Sequence, residues 1–165
     1  MRDITRIEHK IVRAPALHVV LYQPEIPANT GNIARLCGAA RVRLHLIHPL
    51  GFKVDDKHLK RAGLDYWHEV DVRHYRCFED FLGKETEMDS GLISFSRHAI
   101  LDYTKAEVRH GWYLLFGQET SGLPKYIRER YPCYRVPVWG RVRSLNLSTT
   151  VGIVVYHYLY RMGRF

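Results

Sequence analysis

Cysteine is scarce in this chain. Cys37, Cys77 and Cys133 are the three it has, they lie far apart, and no Cys-x-x-Cys pair occurs. An odd, scattered set argues against a disulfide framework and for a reducing compartment. Long apolar runs are missing as well: no stretch approaches the ~18 residues of a membrane span, and residues 1–16 alternate charged and apolar types without a signal-peptide core. Both absences lead to the expectation of a cytoplasmic protein without a membrane partner. Acidic residues are in the minority, 17 Asp plus Glu against 25 Lys plus Arg, for a net charge of +8. That balance suits a polyanionic partner, and charge alone does not choose between RNA, DNA and a membrane surface.

Two phosphate-binding signatures are also absent, an early Gly-x-Gly-x-x-Gly and a Gly-x-x-x-x-Gly-Lys-Ser/Thr, so ordinary dinucleotide and P-loop readings lose support. Ten histidines are present, and His45-x-x-His48 is the closest pair. It falls in an apolar run that reads as a strand, where side chains three apart point to opposite faces, so no metal site is expected.

The 165 residues suffice for one domain with a real core. Apolar runs alternate with helix-periodic segments. Strands are predicted at His18–Tyr22, Arg43–His48, Gly91–Phe95, Trp112–Phe116 and Tyr134–Val138, and helices at 29–40, 55–63, 76–84, 124–130 and 147–162. This is the pattern of an α/β fold, a mainly parallel sheet with helices on both faces. Asn29 or Thr30 is a candidate cap of the first helix. The last helix carries one apolar stripe through Val151, Val155 and Tyr158 and a second through Ile153, Tyr156 and Tyr160. Apolarity on so much of its surface suggests a subunit interface, and a homodimer through Leu147–Met162 and Asn29–Ala40 is predicted. Residues 1–17 read as a basic extension, either a frayed terminus or an RNA-touching arm, before a single domain over 18–165.

The stretch Pro137-Val-Trp-Gly-Arg-Val-Arg-Ser-Leu-Asn-Leu-Ser148 concentrates small polar groups where a strand meets a helix. Such groups can cap the helix or take part in chemistry. This run resembles the third motif of SPOUT-superfamily tRNA 2′-O-methyltransferases. Pro24-Glu-Ile-Pro-Ala-Asn-Thr-Gly-Asn-Ile-Ala-Arg-Leu-Cys37 resembles the first motif, and Phe116-Gly-Gln-Glu-Thr-Ser-Gly-Leu-Pro124 the second, in the same order. Gly51-Phe, Asp55-Asp-Lys and Arg61-Ala-Gly-Leu-Asp-Tyr66 narrow the likeness to the TrmL-type branch, which modifies cytidine or uridine 34.

The resemblance implies a C-terminal deep trefoil knot and S-adenosylmethionine as cofactor, leaving as S-adenosylhomocysteine. It also implies tRNA as substrate. It carries cofactor contacts to Phe95, Gly117, Glu119, Gly122, Val136, Ser144 and Asn146, and catalytic roles to Arg35, Asn29, Ser144 and Asn146. Phe95 and the following Ser96-Arg97-His98 depart from the branch, which has an aliphatic residue and a Thr-Thr-Lys-like run there. Lys57, Lys60 and Arg61, predicted on one helix face, and Arg141 and Arg143 are candidates for RNA phosphate contact. Two rival readings remain at this stage, the same chemistry on another tRNA or rRNA site, and a knotted RNA-binding module without turnover.

Overall fold

The computed structural model describes residues 11–53, 64–85 and 91–165. The apolar run Leu17–Tyr22 forms β1, followed by α1 (Pro27–Ala40), β2 (Arg43–Ile47), β3 (Val72–Tyr75) and α2 (Phe78–Lys84). Then come β4 (Leu92–Phe95), the two-residue β5 (Leu101–Asp102), β6 (Trp112–Phe116), α3 (Lys125–Arg130), β7 (Cys133–Arg135) and α4 (Leu147–Arg161). Short 3-10 turns occupy Leu64–Glu69 and Tyr103–Lys105. The described strands form one sheet in the order β3-β2-β1-β6-β4-β7-β5, and every pairing is parallel.

Alternation along β1 explains the layers. Leu17, Val19 and Leu21 join one core with Ile33 and Cys37 of α1 and with Val151 and Val155 of α4. Val20 faces a second core with Phe78 and Phe81 of α2 and Ile127 of α3. Helices thus cover both faces, as the sequence pattern predicts. In the sheet β7 lies between β4 and β5, two strands joined by a short connection. This insertion fits the threaded C-terminal topology that the resemblance implies.

Several boundaries differ from expectation. The first helix begins at Pro27, with Ile26 as its extended cap residue and no side-chain cap. Proline at the first position needs no N–H and pre-sets φ, so the helix starts before Asn29 and Thr30, and both are buried inside its first turn. Strand β7 stops at Arg135, short of Val138, because its neighbour β5 offers only Leu101 and Asp102 as partners, opposite Tyr134 and Arg135. The helix predicted over 55–63, with Lys57, Lys60 and Arg61, lies outside the described residues.

Beneath the second face runs a buried polar chain. His18 Nδ1 lies 2.9 Å from His45 Nε2, and His45 Nδ1 lies 2.7 Å from the Tyr75 hydroxyl. Tyr75 and Tyr113 donate to the two carboxylate oxygens of Glu85, and Arg73 joins at 2.9 Å. His48 pairs separately with His74. Burial raises the Glu85 carboxyl and these three donors outweigh it, so it is held below its ordinary value. The trio His18, His45 and Glu85 is close enough for a shared cation. Its facing atoms are instead engaged in hydrogen bonds, beside two arginines.

Burial, followed by the charge of Arg43, lowers the His18 pKa from 6.5 to about 3, and burial with the neighbouring His18 lowers His45 well below its usual range. Between pH 6.5 and about 3 the unfolded chain binds a proton at His18 that the folded chain refuses. Stability from this source is therefore full above pH 6.5 and is lost as the pH falls. We expect denaturation at pH 5 to show a loss of about 2 kcal/mol from His18 relative to pH 7.5, with His45 contributing in the same direction. The His18→Asn variant should show a shallower slope; an unchanged slope contradicts the assignment.

Candidate active site

At the carboxyl ends of the central strands lies a cavity of about 320 Å³. Its walls are residues 95–98 after β4, 116–122 from the end of β6, Val136 and Val138 after β7, 144–147 with Thr150 at the start of α4, and Ile26 with Asn29 from α1. Crevices at this end of a parallel sheet are where ligands of open α/β folds bind. Phe95 and Phe116 stack with ring centroids 4.7 Å apart and give the cavity an apolar floor.

Glycine is required in the wall above that floor. A Cβ on Gly117 would overlap the backbone of Gly122 and Leu123. Gln118 and Gly122 close this loop with reciprocal backbone bonds, Gly122 has φ of +68°, and Ser121 donates to the Gln118 side chain. Backbone groups therefore face the cavity at close range.

One acidic side chain ties the surrounding segments together. The Glu119 carboxylate accepts from the backbone N–H groups of Glu25 (2.7 Å) and Ile26 (3.1 Å) and from the Asn29 amide at 3.2 Å. Asn29 Oδ1 in turn accepts from Asn146 Nδ2 at 2.9 Å. The other end of the Asn146 amide caps α4, accepting from Ser148 N at 2.8 Å and Thr149 N at 3.4 Å. The two readings of the polar stretch before α4 thus meet in one residue: Asn146 is both cap and cavity wall.

Asn29, Phe95, Gly117, Glu119, Gly122, Val136, Ser144 and Asn146 all line this one cavity. Arg35 does not. Six residues after Asn29 on the same helix, it is turned by about 240°, is exposed, and lies over the Tyr66 ring with Cζ 5.0 Å from the centroid. Arg141 and Arg143 are exposed on the loop before Ser144, outside the cavity lining. Sequence reasoning missed Glu25, whose carboxylate accepts from Thr120 N at 2.9 Å and from its hydroxyl at 2.8 Å. It also missed Thr150, which donates to Asn146 O at 3.1 Å. Neither has a local signal, because each acts across loops or within a turn already read as a helix start.

Against known proteins, residues 16–156 match the SpoU rRNA Methylase family. The chain belongs to this family. Among its relatives is a tRNA (cytidine(34)-2′-O)-methyltransferase of Yersinia pestis, 43% identical over 154 residues, covering 89% of this chain and 94% of that protein. Another of the same name, from Photorhabdus asymbiotica, is 40% identical over 153 residues, covering 89% and 94%. A solved structure described as giving insight into the 2-OH methylation of C/U34 on tRNA has a TM-score of 0.85 and 45% identity, covering 92% of this chain and all of that one. The AdoMet-bound SpoU methyltransferase AviRb of Streptomyces viridochromogenes is 23% identical with a TM-score of 0.77, covering 97% and 62%, and shares the fold.

The glycine requirement has a direct check. Gly117→Ala should lower stability by about 1–3 kcal/mol in urea titration. Gly140→Ala, with nothing within 4 Å of the new Cβ, should stay within about 0.5 kcal/mol. Equal effects at the two positions contradict the close approach.

Proposed function

We propose that this SpoU-family chain transfers the methyl group of S-adenosylmethionine to the ribose 2′-hydroxyl of the wobble nucleotide, cytidine or uridine 34, of tRNA. The observation that carries the reading is the convergence of residues from three separate motifs on one cavity, in a chain that nearly spans relatives bearing that activity in their names.

The cavity suits the cofactor. Its volume falls in the small-molecule range, its floor is apolar, and its rim carries backbone groups at Gly117 and Gly122 with polar side chains at Ser144 and Asn146. When bound, the cofactor supplies an electrophilic methyl group on a sulfonium. Phe95 and Val136 exclude water from its apolar parts, Gly117 and Gly122 let backbone groups approach its edges, and Ser144 and Asn146 orient it and the ribose. Asn29 and Glu119 hold Asn146 in register. The product cofactor is S-adenosylhomocysteine.

A ribose hydroxyl is a poor nucleophile, and Arg35 is the group assigned to activate it. A guanidinium does not release its proton near neutral pH, so Arg35 acts as a fixed cation that favours developing alkoxide character, with the proton passing to phosphate or water. Arg35 stands outside the cavity of its own chain, on the outer face of α1 with Ala28, Asn32 and Ala39. A homodimer through the Asn29–Ala40 and Leu147–Met162 segments would offer it to the second copy's cavity. The exposed Tyr156 and Tyr160 of α4 support that interface. Arg141 and Arg143, with Lys57, Lys60 and Arg61, hold tRNA phosphates. No helix among the described residues is long and apolar enough to cross a membrane, and a tRNA substrate supports a cytoplasmic location.

Parallel incubations of methyl-labelled S-adenosylmethionine with unmodified tRNA and with unmodified rRNA, followed by nuclease digestion and mass spectrometry, should find methylated ribose at the wobble nucleotide of tRNA. A methyl group elsewhere on tRNA, or only on rRNA, overturns the site; no transfer at all overturns the activity. In the same assay Arg35→Lys should reduce kcat by about 10²-fold. Arg141→Ala and Arg143→Ala should each reduce the slope of log binding constant against log salt by about one. A wild-type slope in both variants removes them from the phosphate contacts.

A further inference from the structure

The loop between β7 and α4 carries a side chain that the reading above does not use. Trp139 is 91% exposed. The other two tryptophans behave conventionally: Trp67 is 3% exposed, and Trp112 packs against the core. Among the described residues no ring or cation lies against Trp139. Val138 before it and Ser144 five residues after it both line the cavity, so Trp139 stands on a loop whose two ends belong to the cavity wall.

Charge indicates the occupant. From Tyr131 to Phe165 there is no Asp or Glu, whereas Arg135, Arg141, Arg143, Arg161 and Arg164 all fall in that span. Arg141, Val142 and Arg143 are exposed beside Trp139. An exposed aromatic residue with arginines two and four positions on in the same exposed loop is the combination that suits unstacked RNA, cations for the phosphates and a ring face for a base. A second copy of the chain is the rival occupant, but a two-fold contact centred on this loop would set Arg141 and Arg143 against their own copies, with no Asp or Glu in the loop to offset them.

We propose that Trp139 is a stacking platform for a nucleobase of the RNA strand whose ribose enters the cavity. The proposal rests on the RNA methyl-transfer reading and deepens it. Presenting a 2′-hydroxyl to the cavity requires its nucleotide to leave the stacked strand, and the freed base needs a new apolar face. Trp139 supplies that face without reading sequence, because every base has a π surface.

The test uses the full-length protein with S-adenosylhomocysteine and an anticodon stem-loop RNA, followed by tryptophan fluorescence and by anisotropy of labelled RNA. Wild-type emission should be quenched on saturation, since the most exposed of the three indoles is the one covered. Trp139→Phe should lose the quenching and bind within a few-fold of wild type. Trp139→Leu should bind about 10- to 100-fold more weakly, with the salt slope unchanged. Absence of quenching at saturating RNA, or equal affinity of the Phe and Leu variants, overturns the platform. A fall in oligomeric state of Trp139→Leu by sedimentation also overturns it and assigns the side chain to self-association. Quenching without methyl transfer sinks the activity and leaves the platform; transfer without quenching sinks the platform alone.

Discussion

A carboxylate can only accept hydrogen bonds, and that constraint at Glu119 propagates through Asn29 and Asn146 to the start of α4. Because Glu119 takes the NH₂ end of Asn29, the carbonyl end of Asn29 must face Asn146. Asn146 then answers with its own NH₂, and its carbonyl is left facing the first turn of α4. One acceptor side chain thereby fixes the orientation of two amides and the start of a helix. Three loops remote in sequence are set in register by side chains that also form part of the cavity wall.

The rest of the architecture makes that relay possible. A parallel sheet brings the carboxyl ends of its strands to one edge, so the loops after β4, β6 and β7 converge without long excursions. The reciprocal contact of Glu25 with Thr120 and of Glu119 with Glu25 N locks the loop before α1 to the loop after β6. Gly117 lets that second loop close upon itself.

What was legible in the sequence follows the range of the forces involved. Strands Trp112–Phe116 and Leu92–Phe95 announce themselves because burial on both faces demands continuous apolar runs. The three motifs were readable by resemblance, and Asn29, Gly117, Glu119, Ser144 and Asn146 from them line one cavity, whereas Arg35, Arg141 and Arg143 do not. Its position could not be read, because a motif fixes residue types while the helix phase fixes direction. Asn29 looked like a cap because capping rules are local; its polar groups are used across 117 positions of sequence to reach Asn146. The early end of β7 was equally hidden, since it depends on how short its neighbour β5 is. The polar chain from His18 to Glu85 unites residues from five separate stretches, and no spacing in the sequence marks it.

The place of β7 has a consequence for the order in which the molecule is completed. Among the described strands β5 pairs only with β7, and β4 meets β5 only across it. While the chain is being synthesised from its N-terminus, β5 has no strand to join until Cys133–Arg135 has emerged, and the cavity lacks a wall until Ser144 to Thr150 follow. The cavity is thus closed only after the centre of the sheet is in place, and a nascent chain that stops short of Thr150 has that centre but no pocket.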